Sequence, residues 1–298
     1  MVTQNLLNGN NIRVVSALGG MQVLQYTMDM SVNPFTSKKE YYMACMNVNK
    51  RQLLLTLNGG GYTMQAGAMQ WTSGQVSMNS NVKGVGGFLG NMAKAAVTKE
   101  SIAKPVYSGY GQVMLEPTYR HIILTDLAEW GGSVVLDDGL FLACESQIQH
   151  KVVSRSNLSS AVLGGEGLFN LSLYGNGIAA LESIVPREEI IEVVLQDDTM
   201  RIDGNMAIAW SSSLEFTVEK STKSLLGSAV SGEGFVNVYR GTGKIWMAPV
   251  MATGGSAGVA NYASSSETAT SNHTSASATQ NDTINALGKL GNIMNKFS

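Results

Sequence analysis

Apolar and polar residues alternate in short runs along most of this chain, and glycines divide the runs. From Leu24 to Met30, the residues Leu24, Tyr26, Met28 and Met30 fall on one side of an extended chain and Gln25, Thr27 and Asp29 on the other. That two-residue period predicts a half-buried strand. Asn33-Pro34 closes it, because proline cannot donate to a strand ladder. Tyr41 to Val48 and Gln52 to Leu57 read as two further strands, and Asn58-Gly59-Gly60-Gly61 as the turn after them. The clearest alternation comes late: Leu214, Phe216 and Val218 point one way, and Glu215, Thr217 and Glu219 the other. Residues 1–37 are therefore a lead-in with one strand, and the main body starts near residue 38.

The pattern then repeats. Gly109-Tyr110-Gly111, Gly175-Asn176-Gly177 and Gly241-Thr242-Gly243 follow one another at 66 residues, from 109 to 175 and from 175 to 241. Fixed spacing marks a repeated structural unit. Apolar runs flank each triplet, as Phe169, Leu171 and Leu173 precede the second and Ile178 to Leu181 follow it. A Gly-x-Gly between two such runs predicts a tight hairpin, so Gly109, Gly111, Gly175, Gly177, Gly241 and Gly243 are expected to be structural turn residues. Upstream, Gly67, Gly139 and Gly204 each stand two residues before a large apolar side chain, Met69, Phe141 and Met206. These three are expected to plug the core and to lead into strands at Gln75–Met78, Ile148–Val152 and Leu214–Glu219.

Between the plug and the Gly-x-Gly lies a connection. In the first copy it runs over 84–97, where Phe88, Met92, Ala95 and Ala96 share a helical face entered through flexible glycines. Its counterparts, 156–163 and 222–230, are shorter. The expected body is all-β: three structural repeats of short antiparallel strands, at about 38–125, 126–185 and 186–250, with short helical connections. Each unit leaves an apolar face that its neighbours must cover.

The composition changes after Val250. Residues 251–282 are mostly Ala, Ser, Thr, Gly and Asn, with too little apolar surface to offset chain entropy, and form an expected disordered linker. At 283–298 the pattern revives, because Ile284, Leu287, Leu290, Ile293, Met294 and Phe297 recur at helical intervals, with Lys289 and Lys296 elsewhere on the helix. This predicts a short amphipathic helix on a tether. It is suited to dock on the body, on a partner or weakly on a membrane surface. The alternative is a frayed tail, since so short a helix is marginal alone.

Composition narrows the function classes. The chain has 298 residues, enough for one large domain or two ordinary ones, and a net charge of −2. So balanced a charge argues against a nucleic-acid footprint, which needs clustered Lys and Arg. Cys45 and Cys144 form no spaced framework and read as reduced thiols. The N-terminus has no basic start and no sustained apolar core, and no stretch is apolar enough to cross a bilayer, so the expected compartment is the cytoplasm.

Candidate chemistry is sparse. The histidines are His121, His150 and His273, and although Cys144 and His150 share strand parity, no third metal ligand is near. The Gly-Glu-Gly triplets at 165–167 and 232–234 lack the Lys-Ser/Thr of a phosphate loop. Asp137-Asp138 and Asp197-Asp198 read as β-turns rather than as cation ligands. Trp71, Trp130, Trp210 and Trp246 lack the basic surround that base stacking needs and read as core or rim. No catalytic, cofactor or metal site is expected.

Taken in order, Gly67-Ala68-Met69, Gly86-Gly87-Phe88-Leu89-Gly90, Gly139-Leu140-Phe141-Leu142-Ala143 and Gly164-Gly165-Glu166-Gly167-Leu168-Phe169 resemble the altered-inheritance-of-mitochondria twenty-four family, bacterial branch, over roughly Leu53 to Pro249. The resemblance implies three β-rich repeats around a pseudo-threefold axis, each similar to the subunit of the ring-forming tryptophan-attenuation RNA-binding protein. It implies no catalytic residues, and it links the mitochondrial members to inner-membrane organisation. Fold likeness to an RNA binder does not carry RNA binding with it.

The resulting expectation is a non-enzymatic scaffold or interaction protein that self-assembles or associates with a membrane. Its candidate contacts are Phe88 and Leu89 in the glycine-rich connection and Ile284, Leu287, Leu290, Ile293 and Phe297 in the terminal helix. The alternative is a small-ligand-binding module at the repeat junctions, in a pocket lined by Trp210 or Trp246. RNA binding ranks third and enzyme last.

Overall fold

Leu53, Leu54, Leu55 and Leu57 open the longest strand, β3 (Arg51–Met64), and all four are buried. Consecutive buried residues mean that both faces of the strand are covered. The computed structural model describes residues 6–79, 104–154, 169–203, 206–220 and 235–249. Ahead of β3 come the antiparallel hairpin β1 (Ile12–Leu18) and β2 (Met21–Tyr26), then helix α1 (Ser37–Cys45). After it follow β4 (Met69–Asn79), β5 (Val106–Leu115), β6 (His121–Asp126), β7 (Ser133–Leu136), β8 (Phe141–Glu145) and β9 (Gln149–Ser154). The remaining strands are β10 (Phe169–Tyr174), β11 (Ile178–Ser183), β12 (Ile191–Asp203), β13 (Ala207–Ser211), β14 (Glu215–Lys220) and β15 (Phe235–Met247).

Two antiparallel sheets result. The first has the order β1-β2-β3-β8-β11-β6, with β5 paired to β3 and β4 to β5. The second has the order β12-β15-β13-β7-β10-β9, with β14 on β15. β1 and β6, at the two ends of the first path, also touch, so that sheet curls in the manner of a barrel. Between β6 and β12 the chain changes sheet five times: β6 to β7 through a 3-10 turn at Leu127–Trp130, β7 to β8, β8 to β9, β10 to β11, and β11 to β12. One core therefore draws on both sheets, with Ile123, Leu136, Phe141, Leu171, Leu181 and Trp246 in contact.

The Gly-x-Gly triplets do not form hairpin turns. Gly109 and Gly111 lie inside β5, and Gly241 and Gly243 inside β15. Gly175 and Gly177 join β10 of the second sheet to β11 of the first, two strands that take their partners from elsewhere. A hairpin requires its flanking strands to pair with each other, and these do not. The glycines instead bend an extended chain, with φ of +127° at Gly109, +118° at Gly175 and +111° at Gly241, a region that side chains other than glycine rarely occupy.

Around them the pairing recurs. Ser108, Tyr174 and Arg240, each just ahead of a first glycine and 66 residues apart, pair with Ser77, Gln149 and Glu215. Leu115, Leu181 and Met247, again 66 apart, pair with Met69, Phe141 and Ala207. Immediately before each of these last pairs the register slips by one residue, so that Gln70, Leu142 and Ile208 bulge out of the earlier strand.

Several other expectations are corrected. The first strand ends at Tyr26, and Met28 and Met30 stand exposed beyond it. Tyr41 to Val48 is not a strand, because Tyr41 lies in α1. The local reason is Asn33, whose Oδ1 accepts from the Phe35 and Thr36 N–H groups and turns the chain just ahead of the helix. Asn58 to Gly61 is a bulge inside β3, not a turn. Asp197 and Asp198 likewise sit at a bulge in β12, where the Asp197 N–H donates to Thr242 Oγ1 at 3.0 Å. Of the expected plugs, Phe141 is 2% exposed but Met69 is 37% exposed, and Met206 is half-buried, with Ala207 taking the paired position. The helix at 84–97, the connections at 156–163 and 222–230, the linker at 251–282 and the helix at 283–298 lie outside the described residues.

Candidate functional site

Glu192 gathers three polar contacts on the second sheet. It follows Ile191 at the start of β12 and sits opposite Trp246 of β15 in the strand register. The Trp246 indole N–H donates to Glu192 Oε2 at 2.8 Å, and Arg187 Nη2 reaches the same oxygen at 2.8 Å. Lys244, two residues before Trp246 and so on the same side of β15, approaches Oε1 at 3.4 Å. The cations also lie over rings, Arg187 4.6 Å from the Trp246 centroid and Lys244 5.5 Å from that of Trp130. The two indoles meet edge to face with centroids 4.8 Å apart, and Trp130 Nε1 donates to Thr125 Oγ1 at 2.9 Å.

Burial pushes the Glu192 carboxyl up, but the indole N–H, Lys244 and Arg187 together outweigh it and hold the group below the usual carboxylate range. An ionised carboxylate whose oxygens are already engaged makes a poor proton acceptor. What the cluster does is tie β12, β15 and the turn after β6 together. Trp246 itself is buried, with its one donor already engaged by Glu192.

The same holds for Cys144. Burial pushes its thiol up to about 12, against the pull of the Lys104 ammonium and a hydrogen bond with Thr63. Lys104 Nζ donates to Gln65 Oε1 at 2.8 Å and stands 4.2 Å from the Phe141 ring centroid. Cys144 is thus a neutral core thiol, and His150 stands on β9, in the other sheet. Among the described residues, no three His, Cys, Asp or Glu side chains are grouped so as to hold a metal. Cys45 is an exposed thiol, and neither cysteine forms a disulfide.

The second grouping is the excursion between β2 and β3. Its neck is polar. The Lys50 ammonium pairs with the Asp29 carboxylate, and the buried Arg51 guanidinium donates to the carbonyls of Asn47 at 3.2 Å and Asn49 at 3.1 Å, with Nε on Gln25 Oε1 at 3.1 Å. Tyr119 Oη donates to Glu40 Oε2 at 3.3 Å. Beyond the neck, α1 buries none of its residues.

Neither grouping was foreseen. Glu192 and Trp246 are 54 residues apart, and only strand register makes them neighbours. For α1 a signal existed in Ser37-Lys38-Lys39-Glu40, the Ser-x-x-Glu pattern of a helix start. Of the expected contact residues, Phe88, Leu89, Ile284, Leu287, Leu290, Ile293 and Phe297 lie outside the described residues. Among those described, no helix is long and apolar enough to cross a membrane.

Comparison with known proteins settles the lineage. Residues 45–250 match the model of the family described as mitochondrial biogenesis AIM24. The chain belongs to that family. An AIM24-family relative, an uncharacterised protein of Streptococcus pyogenes serotype M6, is 31% identical over 198 residues, which is 64% of this chain and 77% of the relative. The crystal structure of another Streptococcus pyogenes protein, solved by a structural genomics consortium, superposes with a TM-score of 0.50 at 28% identity, over 68% of this chain and 88% of the other. The AIM24 match begins at Cys45, so β1, β2 and all of α1 but its last residue precede it.

Proposed function

We propose that the protein is a non-enzymatic scaffold, built as three like units about a pseudo-threefold axis, that works by associating with copies of itself or with a protein partner. The observation that carries this reading is the bulge that recurs at Leu115, Leu181 and Met247, at the same offset from each Gly-x-Gly. A bulge re-aims a strand, and repeating it at one interval gives three similarly bent sheet segments. The strands that carry the bulge, or that continue from it, β4, β9 and β14, each have a single strand neighbour among the described residues. Open edges are what strand addition uses. The shifted ionisable groups fit the same reading, because Glu192, Arg51 and Cys144 are each occupied in holding or filling the framework.

The test is solution mass by sedimentation, for the full chain and for a chain ending at residue 250. A mass above the monomer is expected for at least one of them. A monomer in both forms, with no co-purifying partner, sinks the proposal.

A further inference from the structure

One short segment carries a run of strongly exposed apolar side chains. Met28, Met30, Phe35, Tyr41, Tyr42 and Met46 all fall within the excursion between β2 and β3, and Phe35 is 96%, Met46 77% and Tyr41 66% exposed. Isolated exposed apolar residues need no explanation, but six within one segment around a helix that buries nothing do. The excursion is also built to be presented. The Lys50–Asp29 pair and the Arg51 fork fix its base, and Asn11 closes on Met28 through two hydrogen bonds of 2.8 and 2.9 Å between its side chain and the Met28 backbone. These anchors lie at the neck, with that of Glu40 on Tyr119 beside them, while Phe35, Tyr41 and Met46 stand exposed.

We propose that this segment is a contact for an anionic membrane surface. Three observations choose that partner. First, the apolar groups do not form one helical stripe: Phe35 precedes α1, Tyr41 and Tyr42 are adjacent within it, and Met46 follows it. A protein groove reads a helix at i, i+3, i+4 and i+7, whereas the acyl boundary of a bilayer takes apolar groups in any arrangement. Second, the mixture suits the interface. Tyr rings settle at headgroup depth, and Phe and Met go below it. Third, Lys38 is exposed on α1, while the one acid of that helix, Glu40, accepts from Tyr119 at the base. The segment therefore offers positive charge beside its apolar groups, which is complementary to anionic headgroups. The inference does not depend on whether copies of the chain associate.

Vesicles of equal parts phosphatidylglycerol and phosphatidylcholine, compared with phosphatidylcholine alone, test it by co-sedimentation of the full chain. Wild-type protein is expected to pellet with the anionic vesicles. Phe35→Ser/Tyr41→Ser/Met46→Ser should cut the bound fraction about tenfold, and Lys38→Ser should reduce the preference for anionic lipid. Since α1 buries no residue and Phe35 and Met46 on either side of it are exposed, both variants should keep the wild-type melting temperature, which is measured alongside. Equal pelleting of wild type and the triple variant overturns the proposal, as does wild-type protein that stays in solution. A chain ending at residue 250 should still bind. Binding that disappears with the tail yet survives the triple substitution also overturns it.

Discussion

Glu192 and Trp246 are direct partners across β12 and β15, and the indole N–H of the second donates to the carboxylate of the first at 2.8 Å. The pair sits where two strands, a 3-10 turn and a second indole converge, so its removal should be felt beyond one contact. Glu192→Ala leaves a buried indole N–H without its acceptor and releases Arg187 and Lys244 from their shared anchor. The carboxylate is about a third open to solvent, which tempers the effect. A loss of about 1–2 kcal/mol in urea unfolding is expected, with no gain of ring mobility at Trp210.

The same carboxylate makes stability depend on pH. Its folded-state pKa lies below its ordinary value of 4.5, so the fold binds fewer protons there than the unfolded chain does. The stabilisation is complete above about 4.5 and is lost as pH falls through the folded value. Melting temperature followed from neutral pH downward should fall more steeply in wild type than in Glu192→Gln. Parallel curves would refute this.

Gly109 and Gly111 allow backbones to approach where a side chain has no room. A Cβ on Gly111 would lie 1.9 Å from the Ser73 carbonyl oxygen, and one on Gly109 2.1 Å from that of Gln75. Both also hold positive φ. Gly111→Ala should therefore cost about 3 kcal/mol or more. At Gly60, where an added Cβ meets nothing within 4 Å, alanine should be nearly neutral. Chemical denaturation of the two variants side by side decides the matter.

The two thiols should behave oppositely. Cys45 is exposed and should react at once with a thiol reagent, while Cys144 should react only as the chain unfolds. Because burial raises the Cys144 pKa from 9.0 to about 12, the fold keeps a proton that the unfolded chain gives up. Stability should accordingly decline as pH rises above about 9, and Cys144→Ala should blunt that decline. Labelling of one thiol per native chain, and two in denaturant, is the expected count.

Arg51 is the keystone of the neck. Its fork serves the carbonyls of Asn47 and Asn49 while Nε holds Gln25. Lysine cannot reproduce three such directions at once. Arg51→Lys should destabilise the protein by about 2 kcal/mol and speed amide exchange across α1 and the loop behind it. Unchanged exchange there would mean that the excursion is held by something other than this side chain.

How much of this was visible beforehand differs from element to element. The alternation of Leu171 and Leu173 in β10, or of the residues from Leu214 to Glu219, maps onto observed strands because a two-residue period is a local property of the chain. The 66-residue spacing also reappears, as equal offsets in strand pairing. The role of the glycines did not carry over. The same residue type serves a tight turn or a bent strand, and which one occurs depends on whether the flanking strands pair with each other. Tyr41 to Val48 misled for a related reason: short apolar runs suit strand or helix, and the Asn33 side chain decided the outcome.

By itself, the sequence determined that this is a β protein with glycine-punctuated strands, a fixed internal spacing and AIM24-family membership, since all of these reside in order and composition. Only the tertiary structure decided that β10 and β11 part into different sheets, that Glu192 meets Trp246, and that Phe35, Tyr41 and Met46 face outward. Strand pairing joins residues far apart along the chain, and a pattern of apolar positions says which faces want burial but not which partner buries them.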